Sequence, residues 1–77
     1  MNRVVKVITT DLEELTLESL SRGSRTSEQI RHYLEGRGVD ASSYEISRGL
    51  AILSRAGLVT RRKMARVYKY RLKEIPE

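Results

Sequence analysis

The sequence predicts a small α+β domain, mostly helical, with the element order β-α-α-α-β-β. Three observations predict it. The chain opens with β-branched residues, three motifs of the helix-capping type each precede a run with helical apolar spacing, and after Gly57 the apolar spacing changes to that of strands. With 77 residues and no repeat or low-complexity linker, we expect one domain over residues 1–77.

The first half of the chain predicts a strand and a helix. Residues 1–9 contain Arg-Val-Val-Lys-Val-Ile-Thr and are expected to form a strand or arm. The first helix is expected over residues 10–22, because Thr10 and Glu13 form a capping box and four leucines follow on one broad face. One domain core is too small to bury all of this apolar surface, so the strand and helix are the candidate dimer interface. The partner of the strand is either the wing hairpin or a second chain.

Two further helices follow, each opened by its own capping box. The second is expected over residues 26–36, after Thr26, and ends in a glycine-rich cap. The third is expected over residues 43–56, after Ser42. Their helical spacing predicts a buried set made of Ile30, Tyr33, Leu34, Ile46, Leu50 and Leu53.

A basic hairpin is expected over residues 58–73, with Met64 and Ala65 near its turn. Strand alternation predicts one face with Tyr68, Tyr70 and Leu72 and an opposite face with Val67, Lys69, Arg71 and Lys73. The formal net charge of +5 is concentrated here, because residues 1–45 hold six bases against eight acids, whereas residues 46–73 hold nine bases and no acid. A one-sign segment inside a folded domain is typical of a polyanion-binding surface.

Two helices joined by a glycine-containing turn and followed by a basic hairpin resemble the winged helix-turn-helix, the DNA-binding fold of small archaeal and bacterial transcriptional regulators. The resemblance covers residues 11–73. It is most specific from Ile46 to Val59, which read apolar-Ser-Arg-x-Leu-x-x-Leu and then Gly-Leu-Val. It implies that residues 43–56 form a recognition helix in the major groove and that residues 58–73 form a short two-stranded wing.

The resemblance also implies which residues contact DNA. The recognition helix and its N-terminus would contribute Ser42, Ser43, Tyr44, Ser47, Arg48 and Arg55. Arg48 is the candidate for a bidentate contact to guanine. The wing would contribute backbone contacts from Arg61, Arg62, Lys63 and Arg66, and the start of the second helix would contribute Arg25 and Ser27. Ser42 is also expected to cap its helix, Tyr44 has the alternative of covering the core edge, and Tyr68 and Tyr70 are interpreted as sheet packing.

Catalysis is not expected. The single histidine, His32, is accompanied by no nucleophile elbow, phosphate loop or metal-ligand spacing. The chain has no cysteine, which excludes a disulfide framework and thiolate metal ligands. We therefore expect no enzyme activity, no cofactor, no metal and no obvious small-molecule ligand; the alternative is a sensor whose pocket forms at a dimer interface. The absence of a long apolar run and of signal-peptide features predicts a cytoplasmic protein, and the expected DNA binding predicts association with the nucleoid.

These observations favour a sequence-specific regulator that binds double-stranded DNA as a homodimer. The alternatives are a winged-helix module that binds protein within a larger complex, and a non-specific architectural or RNA-binding protein. Arginine outnumbers lysine by 11 to 4, and Asn2 and Gln29 are the only side-chain amides. This composition fits a heat-adapted source, although chance or genomic base composition would also produce it.

Overall fold

The computed structural model describes residues 11–73 as three helices and a three-stranded antiparallel sheet. The helices are α1 (Asp11–Leu20), α2 (Ser27–Gly36) and α3 (Ser43–Arg55), and the strands are β1 (Arg25–Thr26), β2 (Val59–Met64) and β3 (Val67–Leu72). The predicted N-terminal strand, its part in a dimer interface and the Thr10 cap lie outside the described residues. The α+β class with three helices and a terminal hairpin is confirmed.

The capping boxes predicted for the second and third helices are both present. At α2, the Thr26 hydroxyl accepts from the Gln29 backbone N–H at 3.2 Å, and the Gln29 side chain accepts from the Thr26 N–H at 2.9 Å. At α3, Ser42 and Glu45 exchange the same two bonds at 3.1 and 2.8 Å. Each box satisfies N–H groups that the helix itself cannot bond, which fixes where the helix begins.

Two helix ends depend on glycine. Gly38 has φ +83° after α2, and Gly57 has φ +80° after α3. In each case the next N–H reaches back to a carbonyl in the last helical turn: Val39 to Leu34 at 2.9 Å and Leu58 to Leu53 at 3.0 Å. This is the Schellman arrangement, which turns the chain sharply out of the helix. The turn after α3 places Val59 in the core, but it leaves Leu58 39% exposed.

Strand β1 is absent from the sequence prediction. It pairs antiparallel with β3, Arg25 opposite Tyr70 and Thr26 opposite Lys69, so the sheet order is β1-β3-β2. The N-cap of a helix has extended backbone, and Thr26 has φ −79° and ψ 165°. The residue that caps α2 is therefore already in a conformation that can pair with a strand. A strand of two residues is too short to show the alternation by which a strand is predicted from sequence.

The core lies where the three helices meet the base of the hairpin. Its buried residues are Leu20, Ile30, Leu34, Ala41, Ile46, Leu50, Leu53 and Val59. Leu12, Leu15 and Leu17 are only partly buried against it, as expected if one domain core does not cover the whole first helix. The predicted burial of Tyr33 is wrong: its side chain is half-buried, because its hydroxyl is engaged with charged groups at the surface.

Two polar residues of α1, Thr16 and Ser19, are also fully buried. The Thr16 hydroxyl donates to the Leu12 carbonyl and the Ser19 hydroxyl donates to the Thr16 carbonyl, each at 2.7 Å. Because these bonds satisfy the hydroxyls inside their own helix, burial costs little. The small side chains allow α1 to pack closely against the other helices.

Candidate nucleic-acid interface

Helix α3 has a buried face and an exposed face, and the exposed one carries most of the predicted contacts. Ile46, Leu50 and Leu53 lie in the core. On the opposite side a shallow groove runs along the helix, lined by Tyr44, Ser47, Arg48, Ala51, Ile52 and Arg55. Tyr44 is 70% exposed, so the alternative that it covers the core edge is wrong. Ile52 is 44% exposed and adds an apolar side chain to this groove, which the sequence did not predict.

The N-terminus of α3 is occupied by its own cap. The predicted capping role of Ser42 is confirmed, and the Glu45 carboxylate accepts from the Ser42 backbone N–H. A carboxylate in the first turn already interacts with the helix dipole, so less of that attraction remains for a phosphate. Ser43 is exposed beside it. Contacts from Ser42 and Ser43 to DNA stay predictions.

The wing has two chemically distinct faces, fixed by its register. Arg61 pairs with Tyr70 and Lys63 with Tyr68, so these two basic side chains share a face of the hairpin with the tyrosines. Thr60, Arg62 and Met64 pair with Arg71, Lys69 and Val67 on the opposite face. The alternation predicted for the second strand of the hairpin, which is β3, is therefore present. The wing is short, because only Ala65 and Arg66 separate its strands, and Met64 lies in a strand rather than in the turn.

Two grooves bring the wing together with the helices. The first lies between α3 and the tyrosine-bearing face of the wing, and is lined by Ser47, Leu50, Ala51, Ser54, Arg61 and Tyr70. The second lies between the start of α2 and the wing tip, and is lined by Thr26, Ser27, Glu28, Arg66, Val67, Tyr68 and Tyr70. The predicted residues Ser47 and Arg61 thus share one groove, and Ser27 and Arg66 share the other. Arg62 lines neither of these grooves.

Arg25 is placed differently from the other predicted contacts. Its Nε donates to the Ser19 carbonyl at 2.5 Å, and its guanidinium carbon lies 5.7 Å from the centre of the Tyr33 ring. The side chain is half-buried between α1 and α2. In this position Arg25 holds helix α1 to the start of α2, and it has fewer donors for a phosphate than the exposed bases of the wing.

Ser54 was missed by sequence reasoning. It lies on the flank of α3 that faces the hairpin, two turns after Ser47, and lines the first groove. Helical spacing alone places it off the apolar stripe, as it does several other residues. The signal that distinguishes it is the position of the wing, which only the tertiary structure supplies.

Charge pairing differs along the chain. Arg31 donates to Glu28 at 2.5 Å and to Glu35 at 3.1 Å, and Arg37 donates to Glu18. The hydroxyl of Tyr33 and the guanidinium of Arg37 both bond the Glu18 carboxylate, which holds the pKa of that carboxyl below its ordinary 4.5. Within residues 11–73, no base after Arg37 takes part in an ion pair.

Glu18 joins α1 to the end of α2, because its carboxylate accepts hydrogen bonds from Tyr33 and Arg37. On α2, the hydrogen bond and charge of Arg31 likewise lower the pKa of Glu28. These carboxylates belong to the fold, and each of them has an arginine partner.

In residues 11–73 no group of three or more histidine or acidic side chains is arranged to hold a metal ion. His32 is exposed and lies 3.5 Å from Glu28 and 3.6 Å from Glu35, as part of the α2 surface. No helix in the same stretch has the length and hydropathy to cross a membrane.

Comparison with known proteins shows similarity in structure. No protein-family model matches the chain, and no curated protein matches it significantly. Among solved structures it is similar to Bacillus subtilis PadR in complex with operator DNA, with 22% identity, a TM-score of 0.73 and 82% of this chain covered. It is also similar to the Vibrio cholerae ferric uptake regulator Fur, with 21% identity, a TM-score of 0.76 and 88% covered.

A third match, from a structure of prokaryotic transcription factors, has 20% identity and a TM-score of 0.69 and covers 95% of this chain. The chain spans 40% of the PadR chain, 55% of the Fur chain and 59% of the third chain. PadR and Fur are winged-helix transcription regulators. The three helices and the three-stranded antiparallel sheet of this chain match these winged-helix structures, and the chain therefore has the winged helix-turn-helix fold.

Proposed function

We propose that the chain is a sequence-specific, double-stranded DNA-binding transcription regulator that acts as a homodimer. One observation carries the proposal: the exposed face of α3 adjoins a wing whose bases have no acidic partner in residues 11–73. Exposed bases without local partners have their charge available for a polyanion. The similarity to PadR, a protein solved with its operator DNA, supports the same partner.

In this proposal the groove-lining face of α3 reads bases in the major groove. Arg48 supplies a bidentate contact, with Tyr44 and Arg55 beside it, Ser47 on the side towards the wing, and Ser42 and Ser43 at the helix start. The wing holds the phosphate backbone through Arg61, Arg62, Lys63 and Arg66. Ser27 adds a contact from the start of α2. Arg25 adds a contact through the N–H groups that are not bonded to the Ser19 carbonyl.

The homodimer is supported by the apolar surface of α1. Leu12, Leu15 and Leu17 are only partly buried, and the segment before α1 is rich in valine. A two-fold axis would set two recognition helices one turn of DNA apart and so select a pseudo-palindromic site. Binding of DNA requires no catalytic step, cofactor or small ligand, and a regulator of this kind would act in the cytoplasm at the nucleoid.

The deciding experiment has two stages. Affinity for short random-sequence duplexes is measured over a range of salt concentrations, and preferred sequences are then selected from a random pool. Submicromolar binding with a steep salt slope and an enriched palindrome is expected. Tight binding without enrichment would instead indicate an architectural protein. Failure to bind at low salt would exclude nucleic acid and leave a protein-interaction module. Light scattering of the free protein tests the dimer.

A further inference from the structure

Arg61 and Tyr68 form the tightest cation–ring contact in the described residues. The Arg61 guanidinium carbon lies 4.1 Å from the centre of the Tyr68 ring, and Lys63 Nζ lies 6.0 Å from the same centre. Arg61 pairs with Tyr70 in the hairpin, so Tyr68 is its diagonal cross-strand neighbour on the same face. A cation within about 6 Å of a ring centre is attracted by the ring's negative face. The ring therefore fixes the position of Arg61.

This contact leaves the donors of Arg61 unused. Arg31 and Arg37 are held by carboxylates, which accept their N–H groups and cancel their charge locally. Tyr68 holds Arg61 through the ring instead, and within residues 11–73 the Arg61 guanidinium donates no hydrogen bond and has no ion pair. An arginine presents five donors in a planar fork that matches phosphate oxygens. Arg61 is thus oriented in advance but still able to bind an anion.

The surroundings of Arg61 fit an anion with hydrogen-bond acceptors. It lines the groove between α3 and the wing, to which α3 contributes the hydroxyl-bearing residues Ser47 and Ser54 and the apolar residues Leu50 and Ala51. No carboxylate lines this groove. A cation that shares a groove with two hydroxyl-bearing residues, with no competing acid, is complementary to a phosphodiester.

We infer that the groove between α3 and the wing binds one backbone phosphate of a nucleic acid. In it Arg61 is the direct contact, Ser47 and Ser54 donate from the helix, and Tyr68 is a positioning residue that acts through Arg61. This inference rests on the proposed function and adds to it a specific phosphate site and a role for Tyr68 other than sheet packing. It ties the backbone at the point where the recognition helix and the wing meet.

The test measures affinity for one random-sequence duplex across a salt series, for the wild type and the variants R61A, Y68A, Y68F and R61A/Y68A. R61A is expected to reduce the salt slope by about one, as one phosphate contact is lost. Y68A is expected to weaken binding by about two- to fivefold, because Arg61 loses its ring. Y68F retains the ring and should bind like the wild type. The double variant should bind no more weakly than R61A, because Tyr68 acts through Arg61.

The matched control is R71A, which removes the same charge from the opposite face at the base of the hairpin. Equal losses for R61A and R71A would overturn the site, since they would show a diffuse charge effect. Additive losses in R61A/Y68A, or a Y68F variant as weak as Y68A, would overturn the positioning role. If Y68A unfolds, Y68L replaces it, because leucine keeps apolar bulk without the ring. A wild type that binds no duplex would instead defeat the proposed function itself.

Discussion

Three arginines of residues 11–45 differ from the arginines of residues 46–73 in what they contact. Arg31 and Arg37 are bonded to carboxylates, and Arg25 is bonded to a backbone carbonyl and lies near a tyrosine ring. After residue 45 the described chain has no acid, and Arg61 is held by a ring alone. The difference teaches that arginines whose N–H groups are already bonded within the fold, to a carboxylate or to a backbone carbonyl, stabilise it, whereas arginines without such acceptors are available to a partner.

The largest expected effect comes from R48A. Arg48 is exposed on α3 and has no ion pair in residues 11–73, so its loss should leave the free energy of unfolding unchanged. Binding to a selected site should weaken by about 1–3 kcal/mol, with a smaller loss on a scrambled duplex. Fluorescence anisotropy with both duplexes measures this. The control is R31A, which removes a carboxylate-bonded arginine and should leave both affinities intact. Equal losses on the two duplexes would contradict base readout by Arg48.

A smaller and less selective effect is expected from R62A. Arg62 lies on the face of the wing opposite the tyrosines, and a phosphate contact there carries no sequence information. All duplexes should bind more weakly by the same factor, and the salt slope should fall by about one. The partner variant is R37A, which breaks the bond to Glu18 and should lower thermal stability without changing the salt slope. A salt slope that changes with R37A and not with R62A would show that the carboxylate-bonded arginine, and not the wing arginine, contacts the phosphates.

The turn of the wing should show a modest effect on stability. Ala65 has φ +58° and is the first of two turn residues, a position that favours glycine. A65G should raise the free energy of unfolding by up to about 1 kcal/mol, because relief of the strained conformation exceeds the entropy cost of glycine. Urea denaturation measures it. A56G is the control: Ala56 has φ −76°, so glycine there should only destabilise. A loss of stability in A65G would show that the turn carries no strain.

The smallest expected effect is that of E18Q, and it depends on pH. Tyr33 and Arg37 lower the pKa of Glu18 in the folded protein, so this carboxylate stabilises the fold fully above its ordinary pKa of 4.5 and progressively less as pH falls through the lower folded value. Wild type should therefore be more stable than E18Q at neutral pH, and the two should converge in acid. D40N, at an exposed carboxylate, is the control. A difference that persisted in acid would point to packing instead of charge.

Much of the fold was predictable because its signals are local. Thr26 with Gln29, and Ser42 with Glu45, mark helix starts through bonds that span only three residues. Gly57 marks the end of α3, after which strand alternation begins. Such short-range rules need no knowledge of the rest of the chain.

What was missed depends on distant parts of the chain. Strand β1 exists because β3 arrives beside the cap of α2, and Tyr33 is half-buried because Glu18 and Arg37 draw its hydroxyl to the surface. For the candidate site, the exposed face of α3 followed from helical spacing. The structural use of Arg25 and the groove at Ser54 required the relative positions of helices and wing.

Strand β2 is an edge of the sheet formed by the described residues, since the order is β1-β3-β2. An edge strand offers backbone groups to any second strand, which is a route to aggregation. Here the edge carries Arg61, Arg62 and Lys63, so two copies could pair along it only by bringing like charges together. We therefore expect the basic run to disfavour pairing of two free copies along this edge. When a polyanion neutralises those charges, the repulsion between two copies is lost. The edge then stays protected from pairing only where the bound polyanion itself covers β2.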